Sequence, residues 1–284
     1  MSASPQEPDF SDWIGRRIER EDRITARMIR EYEATLTPYL ARGRAVQPAL
    51  FWCLAPEALS ADQLGPDGHP RTGIILPALP LPRRMWAGGE LALHAEFHPG
   101  DAVQRTSTVE SVSFKTGSTG RLGFVAVRHH YRVEGRLVLD ERQDIVYREP
   151  PPPGGSAAPP PRKALAEPQV LRSWAVDPTP TLLFRYSALT FNGHRIHYDY
   201  PYATGVEGYA GLVVHGPLQA TLMLTILTEE LGRPPRSFSY RGLAPLICGP
   251  PFSVQATRDD RGALAARVVT ADGVVTMAAQ ASAD

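Results

Sequence analysis

Cysteine is scarce in this chain. Cys53 and Cys248 are the only two, they lie far apart, and neither falls in a metal-ligand spacing. This excludes a disulfide scaffold and a cysteine-ligated zinc site, and leaves both as small apolar residues. Net charge is lacking as well: 30 Lys and Arg balance 30 Asp and Glu. No overall field draws the chain to nucleic acid or to an anionic membrane, so any anionic ligand must be held by local charge. No apolar run approaches membrane-spanning length, and Met1-Ser-Ala-Ser-Pro-Gln-Glu-Pro-Asp9 has neither the basic nor the apolar region of a signal peptide. The expectation is a soluble, cytoplasmic protein with no nucleic-acid or membrane partner. Its 284 residues suffice for one large domain or two ordinary ones.

Proline and glycine gather near the middle, in Glu149-Pro-Pro-Pro-Pro-Gly-Gly-Ser-Ala-Ala-Pro-Pro-Pro-Arg162. Such a composition favours an extended connector over packed structure. It divides the chain into an N-terminal half over 10–149, a connector over 150–162 and a C-terminal half over 163–284. In the first half Ile24 to Leu36 has helical spacing, and Ala49-Leu-Phe-Trp-Cys-Leu54 is a second apolar, helical piece. Alternating strands follow at Leu91–Phe97, Ala102–Val109, Leu122–Val133 and Gln143–Tyr147. In the second half Pro217 to Leu231 is the clearest helix: Pro217 suits its first position, Gly232 and Pro234-Pro235 stop it, and its apolar residues on most faces predict burial. Strands resume at Ser237–Tyr240, Phe252–Ala256, Leu264–Val269 and Val274–Ala278, with a hairpin turn at Ala271-Asp-Gly273. A buried helix followed by an antiparallel sheet, twice over, predicts an α+β double hot-dog, each sheet wrapped around a long central helix.

Polar residues concentrate in Tyr186-Ser-Ala-Leu-Thr-Phe-Asn-Gly-His-Arg-Ile-His-Tyr-Asp199, followed by Val213-Val-His-Gly-Pro-Leu218. These two stretches, together with Leu79-Pro-Leu-Pro-Arg-Arg-Met-Trp-Ala-Gly-Gly89, resemble the MaoC-like enoyl-thioester hydratases and dehydratases. Within them the likeness is to 3-methylfumaryl-CoA (mesaconyl-CoA) hydratases, with itaconyl-CoA hydratases and mitochondrial 3-hydroxyacyl-thioester dehydratases as near relatives. It spans both halves, and it implies a double hot-dog whose C-terminal half keeps the hydratase motif while the N-terminal half, which has no such cluster, binds the acyl-CoA. The wider motif carries Asp, then Asn-Pro, then an apolar residue and His. Here Asn192, His194-Arg195 and Ile196-His197 stand at those places, so the histidine carries over and the carboxylate does not.

Hydration of a double bond conjugated to a thioester needs a base for water, a proton for the α-carbon and donors for the enolate oxygen. The resemblance assigns the acid/base work to His197, and the Gly216 amide at the helix start to the thioester oxygen. Asn192 cannot be a base, so it orients water or substrate. On an unbroken helix it would lie about 140° from His197, so Gly193 is expected in a turn before a short helix. Asp199 is expected to pair with Arg195 or to face solvent rather than to hold His197. His194, Arg195, Arg83 and Arg84 are further candidates for contact with substrate or CoA, the last two through CoA phosphates or a distal carboxylate. No metal is expected, since His194 and His197 lack a third ligand at a recognisable spacing. His129-His130 are adjacent on a strand, point to opposite faces, and are discarded as ligands.

The reading is a cofactor-free hydro-lyase of the EC 4.2.1 type that takes an acyl-CoA as substrate. It reversibly hydrates a branched, dicarboxylic enoyl-CoA of the mesaconyl or itaconyl type to citramalyl-CoA. The alternatives are a 3-hydroxyacyl-thioester dehydratase of fatty-acid metabolism and a non-catalytic acyl-thioester-binding hot-dog. By fold analogy, exposed hot-dog sheet edges and faces are compatible with a homodimer.

Overall fold

The computed structural model describes residues 9–117, 120–149, 168–259 and 262–283. The connector expected at 150–162 lies outside them. Ten antiparallel strands make one sheet: β1 (Arg17–Arg23), β2 (Arg83–Leu93), β3 (Ala102–Gly117), β4 (Gly120–Val133), β5 (Arg136–Arg148), β6 (Gln169–Val176), β7 (Ser237–Gly242), β8 (Phe252–Arg258), β9 (Leu264–Thr270) and β10 (Val275–Ser282). Their order is β1-β3-β4-β5-β2-β7-β10-β9-β8-β6. Each half contributes five neighbouring strands, so the two hot-dog sheets meet edge to edge at β2 and β7 instead of standing apart. Glycines make that seam possible. Gly88 and Gly89 lie opposite Arg241 and Tyr240, and a Cβ on Gly89 would overlap the Arg142 carbonyl and the Tyr240 hydroxyl. No helix among the described residues is long and apolar enough to cross a membrane.

Helix α1 (Ala26–Leu36) and helix α2 (Pro180–Thr190) are each capped by a threonine, Thr25 accepting from the Met28 amide and Thr179 from the Leu182 amide. Helix α3 (Gly216–Leu231) has every residue from Leu218 to Thr228 buried and ends at Gly232 with φ 70°. The Thr225 and Thr228 hydroxyls donate to the Thr221 and Leu224 carbonyls one turn back, so neither is left unpaired in the core. This is the central helix expected for the C-terminal half. The N-terminal half differs in detail: α1 has 11 residues, only Tyr32 and Leu36 of them buried, and Leu50–Cys53 is a single 3₁₀ turn. The charges Arg27, Arg30, Glu31 and Glu33 keep most of α1 at the surface. Strands β3 and β5 run further than the sequence pattern indicates, the strand expected at Leu91–Phe97 is instead β2 over Arg83–Leu93, and β1, β6 and α2 lie outside the expected elements. β1 reads Arg-Ile-Glu-Arg-Glu-Asp-Arg, a charged edge strand without the apolar alternation that marks a half-buried one.

Candidate active site

The polar motif leaves the end of α2 through a left-handed residue. Phe191 (φ 52°) caps the helix, the Asn192 amide donates to the Ser187 carbonyl at 2.8 Å, and Asn192 Oδ1 accepts from the His194 amide at 2.9 Å. Gly193 therefore sits in a turn, and Arg195–His197 forms the short 3₁₀ helix that was expected beyond it. With Oδ1 committed to the turn, Asn192 has its NH2 group left to offer the cleft.

His197 is 6 % exposed. Its Nδ1–H donates to the Val213 carbonyl at 2.7 Å, which fixes the tautomer and leaves Nε2 with a lone pair. Its ring stacks on His215 at 3.6 Å and 19°, and His215 Nε2 lies 2.8 Å from Ser187 Oγ. His215 precedes α3, whose first amides, Gly216 and Leu218, have no acceptor within the helix. Gly216 is pressed beneath Trp86, and a Cβ there would come within 2.8 Å of the indole.

Burial depresses these imidazoles. It lowers His197 to about 3 and, with the Arg105 charge added, lowers His129 to about 3, while His215 falls well below its ordinary value. An unfolded histidine titrates near 6.5, so below that pH the unfolded chain binds protons that the folded one refuses, and stability is lost progressively as pH falls from 6.5 toward 3. Thermal melts are expected to coincide between pH 7 and 8.5 and to shift to lower temperature by pH 5. Equal melting temperatures at pH 7.5 and 5 would contradict this burial.

A segment of the N-terminal half docks onto the motif. The Arg195 amide donates to the Asp67 carbonyl at 2.9 Å, and Gly68 (φ +85°) lies so close that a Cβ would overlap the Gly193 carbonyl. His69 follows, with its ring centroid 4.0 Å from that of His194, which in turn meets His197 edge to face at 5.4 Å. His69 Nδ1–H donates to Asp67 Oδ2 at 3.1 Å, and the His69 amide donates to Asp67 Oδ1 at 3.1 Å. Burial raises the Asp67 carboxyl, but the His69 hydrogen bond and the charges of His69 and Arg84 outweigh it and hold it at about 2. His69 is lowered by burial against the opposing pull of Asp67. The sequence reading missed this pair. The available signal was Gly65-Pro-Asp-Gly-His-Pro70, a titratable pair inside a turn.

Asp67, His69 and His194 also bring their ligand atoms within 4.8 Å of one another. A cation there would have to break the Asp67–His69 hydrogen bond and face the Arg84 guanidinium, 3.8 Å from Asp67, so the donor set does not fit one.

Three cationic candidates make contacts with neighbouring loops. Arg83 pairs with the Glu207 carboxylate at 2.5 Å and donates to its carbonyl. Arg84 donates to the Pro70 carbonyl at 2.7 Å. Arg195 pairs with Asp199 at 2.7 Å, donates to the Pro66 carbonyl at 3.0 Å and covers the Tyr202 ring at 4.1 Å. Each clamps a loop through these contacts. Asp199 pairs with Arg195, as expected. His129 is buried and hydrogen-bonded to Ser107, while His130 lies near Asp140 on the other face.

A further buried guanidinium borders the site: Arg105, 9 % exposed. Its Nε and Nη2 are buried with no acceptor, and Nη1 reaches only the Leu54 carbonyl, at 3.5 Å. Glu141, fully buried nearby, accepts from Trp52, Gln143 and Tyr131 and is also stabilised by the Arg105 charge. Arg105 lines a cleft of about 880 Å3 that also borders His69, Asn192, Trp52, Trp86 and Pro217. The cleft thus runs from the sheet of the N-terminal half to the start of α3.

A protein family described as hydroxyacyl-thioester dehydratase type 2 matches residues 50–248. A mesaconyl-C(4)-CoA hydratase of Chloroflexus aurantiacus is 39 % identical over 251 residues, covering 87 % of this chain and 89 % of the relative. A mitochondrial hydroxyacyl-thioester dehydratase type 2 of Schizosaccharomyces pombe is 27 % identical over 275 residues, 82 % of this chain and 88 % of the relative. Among solved structures, a MaoC-like dehydratase from Phytophthora capsici superposes with a TM-score of 0.71 at 15 % identity, covering 95 % of this chain and 97 % of that one. A Mycobacterium tuberculosis protein described as having a double hot-dog fold superposes with a TM-score of 0.57 at 15 % identity, covering 97 % of both. These superpositions identify the fold.

Proposed function

The chain belongs to the hydroxyacyl-thioester dehydratase type 2 family, and from that membership we propose that it is a hydro-lyase adding water reversibly across the double bond of an enoyl-CoA. His197 Nε2 accepts a hydrogen of the attacking water, and the Asn192 NH2 group orients water or substrate. The α3 amides, Gly216 first, stabilise the oxygen charge that builds on the thioester. No cofactor enters this scheme.

The finer reading is a branched dicarboxylic substrate of the mesaconyl or itaconyl type, with a citramalyl thioester as product. One observation carries it: the cleft wall holds Arg105, a buried guanidinium with unused donors. A carboxylate is the ligand whose geometry matches such a fork. The test compares mesaconyl-, itaconyl- and crotonyl-CoA on the wild type and on Arg105→Met. The wild type is expected to prefer a dicarboxylate. The variant loses roughly 10- to 100-fold of that activity, the equivalent of one or two charge-assisted hydrogen bonds, and little on crotonyl-CoA. Equal losses on all three would remove the carboxylate role. The second reading, dehydration of longer 3-hydroxyacyl thioesters, draws on Leu59, Leu64 and Ile74 to Leu76, which give the same cleft an apolar wall. Turnover rising with acyl length on the panel would favour it.

A further inference from the structure

A base that takes a proton from water must bear positive charge while it holds it, and the two imidazoles at this site differ in how well they can. The following rests on the hydro-lyase reading above. His197 donates to a neutral carbonyl and lies face to face with His215, and its contacts include no carboxylate. His69 instead has its Nδ1–H on the Asp67 carboxylate, which a second bond from the His69 amide holds in place. Its Nε2 keeps the lone pair, and the residue borders the cleft beside Asn192 and Gly193. The loop is seated on the motif by the Arg195 amide and by the contact of Gly68 with Gly193, so the dyad is positioned by the same backbone that positions Asn192.

We infer that His69, oriented by Asp67, is a second catalytic residue of this site, and that the N-terminal half thereby supplies the carboxylate which position 192 lacks. As the water oxygen bonds to the β-carbon, one O–H gives its proton to His69 Nε2, and the π electrons shift through the α-carbon onto the thioester oxygen. The enolate then collapses, and its α-carbon takes that proton back from Nε2. The second hydrogen of the water stays on oxygen, held by His197 Nε2. Asp67 remains ionised and offsets the imidazolium. Net charge and protonation are the same at the end as at the start.

Groups facing His69 are Asp67 on its own loop, Glu57 from the preceding loop, Arg84 on β2, and His194 and His197 from the motif. The experiment uses the full chain and the enoyl-CoA that the wild type hydrates fastest, with His69→Ala and Asp67→Asn. Circular dichroism and melting temperature serve as fold controls. His69→Ala is expected to lower kcat by roughly 10^2- to 10^4-fold, with KM changed by no more than about threefold, and added imidazole to restore part of kcat. Asp67→Asn keeps the side-chain size, loses less, and moves the acidic limb of kcat/KM to lower pH, because the imidazolium loses its counter-charge. Wild-type kcat in a folded His69→Ala, or a loss confined to KM, overturns the assignment. A wild type that hydrates no member of the panel instead overturns the hydro-lyase reading on which it rests.

Discussion

Replacing His197 with alanine is expected to lower kcat for enoyl-CoA hydration roughly 10^2-fold or more, the scale of loss when a group that holds the attacking water in place is removed. The geometry gives the ring one task. Its Nδ1–H is held by the Val213 carbonyl and its face by His215, so Nε2 is the only polar atom it can turn to a substrate or a water. That nitrogen stays unprotonated over the working range, because burial holds the group at about 3. Alanine removes the acceptor, leaves the Val213 carbonyl without its donor, and vacates space against His215. The structural part costs about 1–3 kcal/mol, some degrees of melting temperature in a chain of this size. The variant therefore stays folded at 25 °C, where its kinetics are compared. Near-normal turnover in a folded His197→Ala would remove His197 from the chemistry.

The parts of this fold that could be read from the sequence are those whose causes are local. The ends of α3 follow from Pro217 and Gly232, and its burial from apolar residues on nearly every face. The turn at Gly193 follows from the mismatch between a five-residue spacing and a helix, and the Arg195–Asp199 pair from its i,i+4 spacing. What could not be read depends on contacts distant in sequence. Arg83 and Arg84 look like a free cationic patch until Glu207 and Pro70 fold against them. Asp67 and His69 lie more than a hundred residues before the motif they complete. Arg105 was within reach of pattern analysis. Positions 103, 105, 107 and 109 of β3 form its buried phase, and a guanidinium in that phase is the kind of buried charge that calls for a partner or a ligand.

Gly68→Ala is expected to disable the site while sparing the sheet. Gly68 has φ +85°, where an L side chain is strained, and its absent Cβ is where the Gly193 carbonyl oxygen now sits. The strain alone is worth about 1–3 kcal/mol and need not move the loop. The collision is different, because its partner is backbone and cannot rotate away. The segment from Asp67 to His69 must retreat from the motif, giving up the bond from the Arg195 amide to the Asp67 carbonyl and the 4.0 Å approach of His69 to His194. With His69 displaced, the loss in kcat approaches that of its removal, roughly 10^2-fold or more. Gly73→Ala separates the two effects: it carries the same positive φ (+88°), but its Cβ would meet nothing nearer than Ala78 at 3.8 Å. That control is expected to lose a little stability and to keep kcat near wild type. If Gly68→Ala and Gly73→Ala are equally active, the docking of this loop on Gly193 has no part in catalysis. If only Gly68→Ala fails, the seat of Gly68 on Gly193 is what brings the two halves together as one active site.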